Sequence, residues 1–164
     1  MEKTKAQLSL TLQETRILDA QYFLKNNLQP RDVSKLVGNV FGYHGVSQIV
    51  QKTARDNTDR EIWVYAFTYS VGVKCVSDKD DDEDDPITEI KAKYVAEYAS
   101  LEELNQDDID GFSKQNVGYH IWPFWREFVQ SSLTRMGLPN STIRVPFYFA
   151  ANEPSEKRAS DSPE

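Results

Sequence analysis

The stretch 61–76 constrains this chain more than any other. Trp63, Tyr65, Phe67, Tyr69, Val71, Val73 and Cys75 occupy alternate positions, and Ile62, Val64, Ala66, Thr68 and Ser70 fill the positions between. A period of two is the spacing of a strand, because successive side chains leave opposite faces. Both rows are largely apolar, so the strand is expected at the centre of a sheet, covered or contacted on both sides. Core packing under a helix accounts for at least half of the aromatic row. The rest reads as a surface left ready for extended apolar segments of other chains.

Neighbouring strands are legible on either side in the sequence. Residues 87–99 place Ile90, Ala92, Tyr94, Ala96 and Tyr98 inward and Glu89, Lys91, Lys93 and Glu97 outward. Residues 8–24 read as the first strand: Leu8, Leu10 and Leu12 alternate with polar residues, then the apolar parity changes at Ile17. That change predicts a bulge or bend near residues 14–16. Residues 47–54 form a weaker strand, and Asn57, Thr58 and Asp59 make the turn after it. The segment 25–46 carries Pro30, Gly38, Gly42 and Gly45 without a clear period, so it reads as a long, partly ordered connection. Long connections in small domains are often functional.

A helix follows. Val117, Ile121, Phe124, Trp125, Phe128, Val129, Leu133 and Met136 recur at steps of three, four and seven, which gathers them along one stripe. Pro123 lies within the pattern; lacking an amide hydrogen, it kinks the helix or marks where its regular part begins. Gly137 and Pro139 supply the stop. Leu138, Ile143, Val145 and Phe147 continue in an irregular segment, and residues 101–116 before the helix are acidic and turn-like, with room for a short helix. The expected fold is α+β: a four-stranded antiparallel meander followed by a long kinked helix. It occupies residues 1–149 as one domain. Residues 150–164 (AANEPSEKRASDSPE) are polar and rich in Pro and Ser, and are expected to be disordered.

Charge and composition exclude several functions. A net charge of −7 over 164 residues disfavours non-specific binding to nucleic acid or anionic membrane. No run of apolar residues is long enough to span a bilayer, the N-terminus lacks a signal-peptide core, and the single cysteine forms no internal disulfide. A cytoplasmic protein is expected. His44 and His120 have no carboxylate or cysteine at ligand spacing, no phosphate-cradling glycine loop is present, and Cys75 reads as a buried thiol. The expectation is a non-enzyme without metal or cofactor. Residues 78–85 (DKDDDEDD) half-match a calcium loop through Asp78, Asp80, Asp82, Asp84 and Glu89, but Glu83 stands where the sharp turn wants glycine. As a hairpin tip, this run blocks edge-to-edge association or attracts a basic partner.

The C-terminal third resembles the SecB export chaperones and their SecB-like relatives. The resemblance is carried by Pro123, Phe124, Arg126 and Glu127, then Arg135, Gly137 and Pro139, then Pro146 and Phe147. It covers about thirty residues; elsewhere only the strand pattern agrees, and the family's second C-terminal helix is largely missing. The resemblance implies a homotetramer, a dimer of dimers with helices between sheets, and Trp125, Phe128 and Val129 are expected at its seam. It also implies an ATP-independent holdase binding unfolded clients in an apolar groove. By position the groove runs between residues 25–46 and 137–147, lined by Tyr22, Phe23, Phe41, Tyr43, Trp63, Leu138, Ile143, Val145 and Phe147.

Two client classes follow from the same resemblance. One is an exported preprotein, delivered to the translocase motor SecA through an acidic sheet surface. Asp19, with Asp80, Asp81, Asp82 and Asp84 of the hairpin, would serve that docking. The other is the aggregation-prone antitoxin of a toxin–antitoxin–chaperone operon. Phe23 replaces the second acid of the family's docking surface, and the missing helix removes another contact with the motor, which favours the antitoxin. Outside the family, the alternative is an oligomeric scaffold whose apolar faces are filled by its own subunits.

Overall fold

The computed structural model describes residues 3–79 and 83–147. Four strands, β1 (Thr11–Leu24), β2 (Val37–Arg55), β3 (Glu61–Ser77) and β4 (Thr88–Ser100), form one sheet in the order β1-β4-β3-β2, and every pairing is antiparallel. The strand with two apolar faces, β3, is central as its pattern requires. Only β2 to β4 form a meander; β1 crosses over to lie beside β4, leaving β1 and β2 as edges.

A helical run packs on one face of this sheet. It comprises α3 (Gln106–Phe112), a π turn (Ser113–Val117) and α4 (Gly118–Arg135). Asn105 caps α3, its side chain accepting from the Asp108 amide at 2.8 Å, and Asp107 and Asp108 in the first turn complement the helix dipole. Under the run, Tyr65, Phe67, Tyr69, Val71 and Cys75 of β3 meet Ile90, Tyr94, Ala96 and Tyr98 of β4, all buried. The Phe67 and Tyr98 rings meet edge-to-face at 5.5 Å, and Phe112 of α3 closes on Tyr98 at 5.0 Å. Burial pushes the Cys75 thiol pKa up to about 11, so it is packing material.

The end of α4 shows why its stop signal is legible. Gly137 takes φ 73°, a left-handed conformation that costs glycine little. The Leu138 amide then reaches the Leu133 carbonyl at 2.8 Å and the Gly137 amide reaches Thr134 at 3.0 Å, a Schellman closure. Leu138 is buried beside it.

Several expectations are corrected. Residues 5–9 form a short helix, α1 (Lys5–Ser9), fixed by a reciprocal capping box between Thr4 and Gln7, so Leu8 is outside the strand and 70% exposed. The single bulge expected at residues 14–16 is two irregularities flanking that point, at Gln13 and at Leu18. Residues 25–46 are no loose connection: α2 (Pro30–Leu36) leads directly into the nineteen-residue strand β2. Its pairing with β3 outweighs the weak strand preference of Gly38, Gly42 and Gly45, and an irregularity at Ser47 reverses its parity, which hid the period. Gly72 is required in β3, because the Tyr43 ring lies flat against it; a Cβ there would meet that ring at 2.5 Å. Pro123 sits inside α4 and does not mark its start.

The buried stripe of the helix is also shifted. Ile121, Trp122, Trp125, Val129 and Leu133 face the sheet, whereas Phe124 is 49% exposed. Of the residues expected at an inter-subunit seam, Trp125 and Val129 lie in the chain's own core at 2% and 0% exposure; Phe128 stays half-buried, edge-on to Tyr22 at 6.3 Å. The polar tail beyond Phe147 lies outside the described residues.

Candidate functional site

A groove opens where β2, β3, the first turns of α4 and the segment after α4 converge. Its volume is about 260 Å³, and it is lined by Val40 and His44 of β2, Val71 and Val73 of β3, Trp122 and Trp125 of α4, and Ile143 to Pro146 beyond the helix. Pockets for drug-sized ligands start near ~300 Å³, so this one takes one or two side chains and leaves the rest of a ligand on the surface. Its depth comes from side-chain size: two tryptophans on one helix face hold the returning segment away from the sheet.

The returning segment is held by specific contacts. Trp122 Nε1 donates to the Pro146 carbonyl at 2.9 Å, and the Arg126 guanidinium lies 4.4 Å from the centre of the Phe147 ring. Ile143 is buried beneath. On the β2 side, the His44 ring stands edge-on to Trp122 at 5.7 Å, and its Nδ1 is 2.9 Å from Tyr69 Oη. His120 makes the matching contact with Tyr98 Oη at 2.8 Å. Burial holds both imidazoles below the ordinary histidine range, so near neutral pH both are uncharged, and His44 is a neutral part of the groove wall. Among the described residues no group of three His, Cys, Asp or Glu is placed to hold a metal ion.

Of the nine expected lining residues, the fold brings Ile143 and Val145 into this groove, and Phe147 sits at its rim on Arg126. Tyr43 borders it, but its ring is turned to the helix-free face over Gly72. Phe41 pairs with Lys74 on that same outer face, and Trp63 lies at the far end of β3, opposite Thr53 and Ser100. Tyr22 and Phe23 are on edge strand β1, facing opposite ways. Leu138 is 4% exposed in the core at the end of α4. Trp122, Arg126, Val40 and His44 were not singled out as site residues. The three-residue step between the two groove-lining residues of α4, Trp122 and Trp125, was the available signal.

The helix-free face is balanced in charge. Asp19 is opposite Lys93 in the β1–β4 ladder, while Lys52 pairs with Glu97 at 3.6 Å, Lys91 with Glu89 at 3.4 Å and Lys74 with Glu83 at 3.3 Å. At the hairpin, Asp85 pairs with Lys25 and Asp84 is exposed; Asp80, Asp81 and Asp82 lie outside the described residues. Edge strand β1 is different. None of its fourteen residues is buried, and Leu12, Ile17, Leu18, Tyr22 and Phe23 are exposed apolar side chains.

No family model matches the chain, and no curated protein does. A solved structure does match: the SecB-like chaperone Rv1957 of Mycobacterium tuberculosis in complex with a ChAD peptide from the Rv1956 HigA1 antitoxin. The superposition has a TM-score of 0.53 at 11% identity and covers 85% of this chain and 92% of that one. The fold is SecB-like. At this identity the likeness carries architecture and nothing more. Among the described residues no helix is long and apolar enough to cross a membrane.

Proposed function

We propose that this chain is an ATP-independent holdase of the SecB-like kind, which takes apolar segments of an unfolded client into the Trp122–Trp125 groove. The observation that carries the reading is the groove itself: a side-chain-sized apolar opening beside a returning segment, on a fold shared with a chaperone solved with an antitoxin peptide. An aromatic side chain buries ~150–250 Å², worth ~4–6 kcal/mol at ~25 cal/mol per Å² before ordering costs. A single anchor therefore binds weakly, and several grooves in one oligomer bind a long client well. No covalent chemistry is involved, and the setting is the cytoplasm.

The favoured client is an unstable antitoxin. The alternative, delivery to SecA, asks for an acidic sheet surface; here Asp19, Glu89 and Glu97 of the sheet face and Glu83 of the hairpin stand beside Lys93, Lys91, Lys52 and Lys74, which weakens the pull of the sheet itself on a basic partner. The test is light scattering from a chemically unfolded client diluted into buffer without nucleotide, with and without the chaperone. Scattering should fall at stoichiometric chaperone, and Trp fluorescence should shift as the groove fills. An intact oligomer that leaves scattering unchanged would favour the scaffold reading.

Assembly as a dimer of dimers belongs to the same proposal. Edge strand β1 and the outward side of α4, where Tyr119 and Phe124 are exposed at 64% and 49%, supply the apolar surface that subunits would cover. Replacing Phe124 with Asp leaves the core untouched, so circular dichroism should stay native while sedimentation shifts to a smaller species. An unchanged oligomer would place the seam on β1 alone.

A further inference from the structure

We propose that residues 144–147 are a displaceable resident of the groove, and that an extended client segment carrying an aromatic side chain takes over their contacts with Trp122 and Arg126. This rests on the holdase reading and adds a rule for which segments bind. The returning segment already behaves as a bound peptide. It is neither helix nor strand, it offers the Pro146 carbonyl to Trp122 Nε1 at 2.9 Å, and it lays the next residue's ring on Arg126 at 4.4 Å.

Two features make this closure weak enough to open. Phe147 is 68% exposed, so burial contributes little to holding the ring that meets the Arg126 guanidinium. Beneath it, Arg126 Nε is buried with no hydrogen-bond partner among the described residues. A buried cationic donor without an acceptor is costly, and lifting the strap lets water or an incoming carbonyl satisfy it. Ile143, buried at 3%, anchors the near end, so Arg144 to Phe147 swing while the fold stays intact. The site then recognises a backbone carbonyl for Trp122 followed directly by an aromatic ring for Arg126. A carbonyl held by a donor suits any sequence; the ring is what selects.

The probe is a fluorescein-labelled peptide with this chain's own strap sequence, PNSTIRVPF, together with the version ending in Leu. Phe147→Ala removes the resident ring from an exposed position and should leave the fold native. It should bind the PNSTIRVPF peptide about two- to fivefold more tightly than wild type, the equivalent of one exposed cation–π contact. Arg126→Gln should bind both peptides equally, losing the preference for Phe. Acrylamide quenching of Trp fluorescence, which needs no client, should rise in Phe147→Ala. Equal affinity and equal quenching in wild type and Phe147→Ala would overturn the proposal and make the strap a fixed wall. If those variants bind as wild type while wild type still suppresses aggregation, only this inference fails. If wild type suppresses no aggregation yet quenching rises in Phe147→Ala, the holdase reading fails and the opening of the strap stands.

Discussion

Replacing Trp125 with Asp should unfold the chain rather than dissociate an intact subunit. Trp125 is 2% exposed, lines the groove opposite Val71 and Val73, and its ring lies 6.3 Å from that of Phe128. Removing the indole forfeits packing worth ~3–5 kcal/mol. The carboxylate left behind would sit among the apolar side chains that line the groove, and burying it adds several kcal/mol more. Together these approach the whole stability of a domain, about 5–15 kcal/mol. Circular dichroism and a urea titration on the variant should show a largely unfolded protein at room temperature. Native ellipticity with a smaller sedimenting species would return Trp125 to the subunit seam. The contrast with Phe124→Asp, one residue away and exposed, makes the pair informative: the same charge is introduced on two faces of one helix.

Changing Leu138 and Ile143 together to Ser should also be severe. The spacing of residues 137–147 suggests a wall whose side chains can be cut without loss of fold, but both residues are buried, at 4% and 3%. Each truncation removes ~2–4 kcal/mol of packing and leaves a hydroxyl in an apolar setting. The urea midpoint should drop strongly with little change in slope, the mark of lost stability in an otherwise similar native state. A midpoint near that of wild type would show that the segment detaches from the core as a unit. Val145, half-buried in the groove, is the residue whose truncation reports on binding with least effect on folding.

Much of the architecture is local information. The alternation in β3 and β4, the apolar period of the long helix and its Gly137 stop each depend on residues a few positions apart, so they are readable in sequence and present in the structure. The resemblance through Phe124, Arg126, Glu127, Arg135, Gly137 and Pro146 pointed to the same architecture that the structural match supports.

What sequence alone left open depended on distant pairing. β2 is invisible by period because its glycines lower strand preference and the irregularity at Ser47 reverses its parity; the β3 ladder holds it nonetheless. Phe124 and Trp122 are both apolar and two residues apart, and only docking of α4 on the sheet buries one and exposes the other. The groove is assembled from β2, β3, α4 and the strap, pieces separated by up to about a hundred positions in the chain. By itself, the sequence determined β3, β4, the long helix and its stop, because those follow from backbone preference and side-chain period within a few residues. The tertiary structure decided the strand order, the face of the helix that is buried and the side chains that meet in the groove, because each depends on contacts between elements that no local pattern records.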